Sequence, residues 1–488
     1  MAININSSTL AAREERLGSV TGYVGDLHDI VEKSKCGQLK GKGRCYSQAS
    51  ACLAGCAISQ ISGIRDVLVI NHAPAGCTAL APTIEDTGRL LAEKRGVETN
   101  TALVGTDLNE NDTVFGAGDS LVETALISYE RYKPKAIFIT TSCVSGIIGE
   151  DIDSIVDEIQ QKVPVPVVAA HCEGFKSRIW GSGFEIADHA VLRAIVKPPK
   201  EKRNVINFKN FCEGQRKEII DIFANFGVEP LFLYRNSTIE ELSRLSESLA
   251  TVSICGSLST YLGNGLEQEY GVPYVNTLSP SGVIGFETWL REIGKVINKS
   301  EAVEKYIKEQ RDLYIFKIEE IKKKLKGLRV VLAMGPGFGF EVARVAQELG
   351  LEIVWHASWH YDQRHDNGEL PAAVDYLEKN ITDSYNLSVT ELQNHEILNI
   401  LNEYKPDLYL CRHPGSTVWA IKQGVPSICV VDEYMMFGYK NTLSFAQTIL
   451  NTVTNRSFEK NLAARVKLPY TKWWFEQNNY KFFEGVEQ

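Results

Sequence analysis

Short apolar runs alternate with helical segments along most of this 488-residue chain, and this alternation limits the folds that are open to it. Most of the runs are rich in β-branched residues without polar alternation, which is typical of parallel strands buried on both faces. The pattern predicts an α/β fold of doubly wound parallel sheets with right-handed crossovers. The predicted strands include 66–71, 135–140, 165–170, 230–234, 250–254, 272–275, 329–334, 351–356, 406–410 and 427–431.

Two charged stretches interrupt the pattern and suggest domain boundaries. Residues 195–212 combine prolines with charged residues, and residues 298–328 read as a long charged helix. Because a chain of this length is too long for one hydrophobic core, we predict three Rossmann-like domains between two terminal segments. The predicted segments are an N-terminal extension (1–44), domain I (45–200), domain II (201–320), domain III (321–450) and an aromatic C-terminal tail (451–488).

The charge and the apolar runs exclude several classes of function. A net charge of −9 argues against nucleic-acid binding, which needs a basic surface. The chain has no apolar run as long as a membrane span and no apolar core of a signal peptide near its start, so we expect a cytoplasmic protein. Its eleven cysteines are therefore expected to be packed side chains or metal ligands, and not disulfides.

The cysteines stand at the ends of predicted elements. Ligand sites in doubly wound sheets form beyond the carboxyl ends of the strands. Four cysteines directly follow apolar strands: Cys77, Cys143, Cys172 and Cys255. Glycine-containing turns at 72–76 and 142–146 supply backbone N–H groups of the kind that stabilise cluster sulfides. Cys52 and Cys56 lie one helical turn apart, and one of the two is expected to be packing. The absence of CxxC spacing among these cysteines disfavours a zinc knuckle.

Several motifs follow one another in the order found in the nitrogenase component 1 superfamily, which the chain resembles over roughly residues 40–450. Cys52 is followed about 25 residues later by Cys77 in the turn HAPAGC, where Ala73 replaces the glycine of the family. The two motifs that come next in the family have counterparts here, TDLNENDTVFG (106–116) and TTSCVSGIIGED (140–151).

Two later segments resemble the α-type subunit of that family in particular. The segment HCEGFKSRIWGSGFEIADHAV (171–191) matches an α-type segment that begins C-E-G-F. The segment SICGSLSTYLGNGLEQEYGVPYV (253–275) matches the one whose cysteine binds the active-site metallocluster. The resemblance therefore implies an α-type subunit, with its three domains arranged around a central metallocluster cleft.

The resemblance also implies which cysteines would hold an electron relay. Cys52, Cys77 and Cys143 match the residues by which each subunit holds half of a shared [8Fe-7S] P-cluster-type cluster. The first of these ligands stays open between Cys45, Cys52 and Cys56. The implied partners are a homologous β-type subunit, in an α2β2 heterotetramer, and an ATP-dependent homodimeric iron-protein reductase.

A second cluster is implied at Cys255, which matches the ligand at one end of a large active-site iron–sulfur cluster, [Fe8S9C]-like or a heterometal variant. The turn GPGFG (335–339) stands beside that cofactor in the family, so Gly337 and Phe338 are candidate cofactor contacts. Dinucleotide binding there is disfavoured, because the turn lacks the GxGxxG spacing and an acidic partner.

The chain departs from true nitrogenases at the reactive end of that site. Lys440 stands where the family has the second, histidine ligand of the cofactor; an ammonium cannot coordinate metal but can pair with an anionic group. Trp180 and Phe184 stand where the family has a glutamine and a histidine. Loss of a histidine proton donor argues against dinitrogen reduction, and an apolar pocket better suits a small organic substrate.

A histidine-rich run, WHASWHYDQRHD (355–366), follows the strand residues 351–354. His356 and His360 are one turn apart if the run is helical, and His365 comes next. The plain interpretation is a polar loop, and the sharper one is that a histidine here replaces the missing ligand or supplies protons.

Cys172 is expected to be a packed side chain or a residue that contacts the cluster ligands. Four other cysteines are expected to be structural: Cys36, Cys212, Cys411 and Cys429.

Together these features predict the catalytic α-type subunit of a nitrogenase-like, ATP-dependent iron–sulfur reductase. Within the superfamily they fit best with methylthio-alkane reductases, which cleave small methyl thioethers to methanethiol and a hydrocarbon. The candidate catalytic residues are Lys440, His360, Trp180 and Phe184, with protons supplied by His360 or Lys440. The alternative is a cofactor-assembly scaffold that holds a precursor cluster. A third possibility, a nucleotide-dependent oxidoreductase, would contain no iron.

Overall fold

The structure is a computed structural model that describes residues 3–41, 52–79, 92–93, 96–210, 213–381, 384–390, 394–412, 414–431 and 433–477. It confirms the predicted mixed α/β fold built on parallel sheets. Numbered in chain order, the strands are β1 (Gly22–Asp26), β2 (Val67–His72), β3 (Ala102–Gly105), β4 (Ala136–Thr141), β5 (Val167–Ala170), β6 (Val205–Lys209), β7 (Glu229–Phe232), β8 (Ala250–Ser253), β9 (Arg329–Met334), β10 (Glu352–Ser358), β11 (Asn386–Thr390), β12 (Leu408–Cys411) and β13 (Ser427–Cys429).

Helices connect these strands. The α-helices are Arg13–Arg16, Leu27–Lys35, Leu53–Ile61, Ala75–Thr78, Asp112–Phe115, Gly118–Tyr132, Cys143–Ile148, Ile152–Gln160, Ser182–Ala194, Arg216–Ala224, Ile239–Ser243, Thr260–Tyr270, Gly282–Val296, Ser300–Leu325, Pro336–Glu348, Ala372–Asn380, Asn394–Tyr404, Pro414–Lys422, Gly438–Thr454, Ser457–Ala463 and Lys472–Phe475. Short 3-10 helices cover Gly174–Lys176, Glu213–Gln215, Leu245–Glu247 and Glu433–Met436. In the described part of the chain, none of the helices combines the length and the apolar character that a membrane crossing needs.

The first of two compact units contains Met1–Arg16, Ala49–Val252 and Leu258–Tyr274. A four-stranded parallel sheet of order β3-β2-β4-β5 lies in it, with a three-stranded sheet of order β7-β6-β8. Strand β2 is buried along its whole length, and its alternate side chains enter two different cores. Burial on both faces is what its run of apolar residues predicts, and helices therefore cover both sides of this sheet.

The second unit contains Leu17–Gln48, Ser253–Ser257 and Val275–Gln488. Its six-stranded sheet has the order β1-β11-β10-β9-β12-β13. The strands from β9 to β13 run parallel, whereas β1 pairs antiparallel with β11 at one edge. The N-terminal segment thus supplies an edge strand to a sheet formed far later in the chain, which the sequence did not indicate.

Candidate functional site

The first candidate site lies at the carboxyl edge of the four-stranded sheet. Strands β2 and β4 are parallel neighbours, with His72 in register with Thr141. Cys77 lies in the short helix after β2, and Cys143 begins the helix after β4. Because parallel strands end at the same edge, the fold delivers both thiols to one place. Ser142 caps the Cys143 helix through a reciprocal capping box. The cap fixes the residue at which the helix begins, and therefore the position of the Cys143 thiol.

Cys52 joins this edge from a different element. It is the extended residue that precedes helix Leu53–Ile61. A Cβ placed on Gly174 would lie 2.9 Å from the Cys52 sulfur and 3.2 Å from the Cys143 sulfur, so both thiols lie against the same glycine. Burial, and then the neighbouring Cys52 and Cys143, raise the pKa of Cys77. The structure therefore brings together the three cysteines that the sequence analysis proposes as relay ligands.

Exposure separates this trio from other cysteines nearby. Cys52 and Cys77 are exposed and Cys143 is half-buried. Burial raises the pKa of Cys56 and of Cys172 to about 12, as expected for packed, inert thiols. The Cys172 thiol donates to the Thr141 carbonyl at 3.2 Å. Cys45, the other candidate for the first ligand, lies outside the described residues, and so does Cys212.

A buried hydrogen-bond network holds the loops that carry the trio. His72 Nε2 lies 2.5 Å from a Glu150 oxygen, and His72 Nδ1 lies 3.0 Å from the Thr106 hydroxyl. The other Glu150 oxygen accepts from the backbone N–H of Ala117. Asp107 accepts from the N–H of Ala75 at 3.2 Å. The network joins the HAPAGC, TDLNENDTVFG and TTSCVSGIIGED segments, so Glu150 and Thr106 act as positioning residues that the sequence analysis did not identify.

Replacing Glu150 by alanine tests this network. The change leaves His72 Nε2 and the Ala117 N–H without their buried partner, and each such loss costs about 1–3 kcal/mol. We expect the free energy of unfolding, measured with urea, to fall by about 2 kcal/mol or more. The control is Glu158→Ala, whose exposed pair with Lys162 is worth about 0.5 kcal/mol. Equal losses in the two variants would contradict a structural role for Glu150.

Replacing Gly174 by alanine tests the close approach of the thiols. The new Cβ would meet the Cys52 sulfur at 2.9 Å, so the thiols or the loop must move. We expect the iron that the reconstituted chain retains against a chelator to fall about tenfold. This is the typical loss of metal affinity when a residue that supports a metal ligand is changed. Gly76→Ala is the matched control, because a Cβ there meets nothing within 4 Å although it adjoins Cys77. Unchanged iron retention in the Gly174 variant would refute the crowding argument.

The second candidate site lies in the second unit, where Cys255 follows β8. Cys255 is 6% exposed, and its N–H donates to the Ser253 hydroxyl at 3.0 Å. The same hydroxyl donates to the Cys255 carbonyl at 2.9 Å, which fixes the turn. The loop then packs against the GPGFG turn: a Cβ on Gly337 would lie 2.3 Å from the Ser257 Cβ. Only glycine at position 337 permits this contact.

Asp362 connects this loop to the histidine-rich run. It accepts from the Ser257 hydroxyl at 3.1 Å and from the Ser19 hydroxyl at 2.5 Å. The imidazole of His360 lies 3.8 Å from an Asp362 oxygen. Asp362 therefore ties the Cys255 loop to Ser19 and lies close to His360. The sequence analysis missed this residue, although a carboxylate inside a run of histidines is a recognisable signal for an orienting partner.

A cavity adjoins the same loop within the second unit. Its enclosed free space is about 20 Å3, room for roughly one water molecule. Most of its lining is apolar, and its polar side chains include Ser257, Asp362 and His365. Gly256 and Gly337 also line it, whereas Cys255 itself is not among the lining residues.

The remaining candidate residues fall in different places. Trp180 and Phe184, in the first unit, are half-buried and pack edge to face with ring centroids 5.6 Å apart. In the second unit Lys440 is exposed in the first turn of helix Gly438–Thr454. Phe338 is buried beneath the Arg412 guanidinium, 4.6 Å from its ring centroid. His360 is buried just after β10.

His356 does not have the helical spacing considered for the histidine run, since it lies within β10. Its side chain is fully buried, burial lowers its pKa to about 3, and neither ring nitrogen has a hydrogen-bond partner. The Phe340 ring packs against it with centroids 4.7 Å apart. His356 therefore stays neutral at physiological pH, and the candidates for proton supply from this run are His360 and His365.

The thiols are not grouped around a single ion. Within the described ranges, no set of three or more His, Cys, Asp or Glu side chains is close enough to hold one metal ion. Iron–sulfur clusters differ from such centres because their thiolates bind different irons of one polynuclear group. Exposed thiols that converge on a glycine-lined edge fit that donor chemistry.

Comparison with known proteins identifies the class to which this fold and these thiols belong. A sequence profile described as nitrogenase component 1 type oxidoreductase matches residues 52–454, and the chain belongs to this family. The fold agrees: the solved structure of nitrogenase Cp1 at pH 6.5 superposes with a TM-score of 0.67 at 19% identity, covering 88% of this chain and 94% of that chain.

Individual relatives fall into two groups by name. The nitrogenase molybdenum-iron protein alpha chain of Methanothermobacter marburgensis is 25% identical over 430 residues, covering 84% of this chain and 88% of the relative. The nitrogenase iron-molybdenum cofactor biosynthesis protein NifE of Methanococcus maripaludis is 26% identical over 415 residues, covering 83% of each. The chain is thus similar to nitrogenase α subunits and to cofactor-assembly proteins to the same degree.

Proposed function

We propose that this chain is the catalytic α-type subunit of a nitrogenase-like, ATP-dependent iron–sulfur reductase that cleaves the C–S bond of small methylthio-alkanes. The observation that carries the reductase proposal is the trio of thiols gathered at the edge of the four-stranded sheet, two of them exposed and the third half-buried. An electron relay between two subunits needs ligands that a second subunit can reach. Cys52, Cys77 and Cys143 meet that need, because they lie together, Cys52 and Cys77 are exposed, and Cys143 is half-buried beside them.

In this proposal the three thiolates hold one half of a P-cluster-type cluster, which when bound passes electrons inward from the iron-protein reductase. The chain contributes the three thiolates. It also contributes Gly174, whose missing side chain leaves room for the Cys52 and Cys143 sulfurs. Glu150 and His72 keep the two strand-end loops in register. These groups set the positions of the donors before any cluster binds, which lowers the cost of ordering them.

The surface around the trio supports a β-type partner. Four large apolar side chains near it are strongly exposed: Val114, Phe115, Ile147 and Phe175. The helix that carries Phe115 packs against the helix that carries Ile147, and the Phe175 ring lies within 3.3 Å of a Cβ built on Gly146. Exposed apolar patches of this size on one face mark protein interaction sites. We propose that a homologous β-type subunit covers this face and completes the cluster.

For the active-site cluster, we propose Cys255 as the thiolate ligand, with Gly337 leaving room for the close approach of the backbone. The helix Pro336–Glu348 begins at this turn, and the N-terminal end of a helix favours a negatively charged group. His360, whose imidazole lies 3.8 Å from an Asp362 oxygen, is the candidate proton donor of this loop. Lys440 offers a cation in place of a second ligand.

The substrate proposal depends on aromatic and apolar surfaces. Trp180 and Phe184 form an edge-to-face pair where the family has polar side chains, which favours a thioether over a substrate that needs proton donors. Reductive cleavage of methylthioethane takes up two electrons and two protons and yields methanethiol and ethane.

The test is turnover by the assembled complex. The chain, its co-purified β-type partner, the iron-protein reductase and ATP are incubated with methylthioethane under a reducing, oxygen-free atmosphere. Methanethiol and ethane are measured by gas chromatography, with omission of ATP as the control. Equal ATP-dependent release of both products supports the proposal. A fully iron-loaded complex that reduces protons but releases neither product contradicts the substrate class and leaves the reductase class intact.

A second function, cofactor assembly, is favoured by the similarity to NifE. A scaffold would hold a precursor cluster on Cys255 and release it. Transfer of iron from the loaded chain to a cofactor-deficient nitrogenase component 1, measured as restored activity of the acceptor, distinguishes the two. Transfer without thioether turnover would support the scaffold, and turnover without transfer would support the reductase.

A further inference from the structure

Two cysteines outside both candidate sites stand side by side in the six-stranded sheet. Strands β12 and β13 are parallel neighbours, and Cys411 is in register with Cys429. Side chains of registered residues on adjacent strands project from the same face of a sheet. The two thiols are in hydrogen-bond contact with each other. The N–H of Val430 also donates to the Cys411 carbonyl at 2.7 Å, which fixes the ends of the two strands together.

Registered residues on neighbouring strands lie within the separation that a disulfide can span. Neighbouring strands lie about 4.8 Å apart, inside the 4.4–6.8 Å range of Cα separations that disulfides span. Cys411 is buried in an apolar core cluster, whereas Cys429 is half-buried. One thiol is therefore reachable by a small oxidant, and the other is held beside it as the resolving thiol.

The surroundings of Cys429 act on its thiolate in two opposite directions. Burial raises the pKa of Cys429, while the contact with Cys411 and the charge of Arg412 act in the opposite direction. Arg412 is held in place by its guanidinium over the Phe338 ring and by its N–H bond to the Ala333 carbonyl at 3.2 Å. A fixed cation beside a thiol stabilises the thiolate, which is the nucleophile in thiol–disulfide exchange.

We propose that Cys411 and Cys429 form a reversible redox pair, a dithiol that low-molecular-weight disulfides oxidise to an intrachain disulfide. The Cys429 thiolate attacks one sulfur of the oxidant, forms a mixed disulfide and releases one thiolate. Cys411 then attacks the Cys429 sulfur and releases the second. Two protein thiols thus lose two electrons and two protons, and one small disulfide becomes two thiols.

The disulfide would fix the last strand of the sheet. It would close a loop that contains helix Pro414–Lys422 and would tie β13 to β12. The chain continues from β13 through the 3-10 helix Glu433–Met436 into the helix that carries Lys440. Oxidation would therefore restrain the segment that leads into Lys440, and this proposal does not depend on the function proposed above.

Peptide mapping of the full chain tests this pair. The reduced protein is treated anaerobically with glutathione disulfide, quenched with acid, alkylated and digested, and the peptides are identified by mass spectrometry. Acid stops exchange because it removes thiolate. We expect a linked peptide pair containing Cys411 and Cys429, two hydrogens lighter than the separate peptides, in more than about half of the chains. A phosphine reductant should restore both free thiols.

Two variants sharpen the test. Cys36→Ser removes an exposed thiol elsewhere and should leave the link unchanged, whereas Cys429→Ser should abolish it. Recovery of both wild-type cysteines as alkylated thiols would overturn the proposal, and so would a persistent glutathione adduct on Cys429 without the link. The wild-type measurement decides the matter even if Cys429→Ser does not fold.

Discussion

Replacing Cys143 by alanine is expected to remove the electron relay from the assembled complex and to lower ATP-dependent reduction of any substrate by about 100-fold or more. The Cys143 sulfur lies against Gly174 beside Cys52, and it contributes to the raised pKa of Cys77. In the proposed relay, its loss would deprive the shared cluster of one thiolate from this chain. Replacing a residue that hydrogen-bonds to a metal ligand typically lowers activity about 10–100-fold, and the loss of a ligand itself should lower activity by more.

The measurement pairs iron analysis with electron paramagnetic resonance and with the size of the complex in solution. We expect the signals of the shared cluster to disappear, the active-site cluster to remain, and the complex with the β-type partner to dissociate more readily. The matched control is Cys36→Ala, an exposed cysteine at the end of helix Leu27–Lys35. Unchanged spectra and assembly in the Cys143 variant would mean that this thiol is only a packed side chain.

The core of the fold could be predicted from the sequence because its strands are apolar throughout. Predicted strands 66–71, 135–140 and 329–334 agree with β2, β4 and β9 to within one residue. Continuous β-branched runs leave few alternatives, since they must be buried on both faces. Strand β1 was missed because GYVGD is short, contains two glycines and pairs across the chain with β11, also missed, so that nothing local distinguishes it from a loop.

In the candidate sites, too, some features could be predicted from the sequence and others could not. Motif order predicted which cysteines belong together, and strand ends predicted where Cys77 and Cys143 would lie. The sequence could not separate Cys52 from Cys56, which lie one helical turn apart, whereas the coordinates show that Cys52 is exposed and Cys56 is buried. Gly174 has its role solely through a contact distant in sequence, and a glycine after C-E gives no local sign of it.

Buried polar partners were the hardest to foresee. Glu150 orients His72 from 78 residues away, and it stands in no recognisable pairing motif. The Cys411–Cys429 pair depends on the register of two strands, which sequence alone does not determine. Long-range register is therefore the information that separates the sequence prediction from the structure.

Replacing Cys255 by alanine is expected to abolish substrate reduction while the shared cluster remains, because the two sites lie on different strand ends. Cys255 is buried after β8 and its turn is fixed by two hydrogen bonds to Ser253. Alanine keeps this backbone geometry, since both bonds use main-chain atoms of residue 255. The variant should therefore fold, lose the iron of the larger cluster, and lose activity by more than about 100-fold.

The measurement is iron content with the resonance signals of each cluster, beside turnover and transfer assays. Ser253→Ala is the informative comparison, because it keeps the thiol but releases the turn, and we expect partial cluster loss and about a tenfold lower activity. Since both candidate functions need a cluster on Cys255, the Cys255 variant should also fail to transfer iron to an acceptor. If it retains the larger cluster in full, the thiol is a packed side chain, and the ligand must be sought elsewhere in the chain.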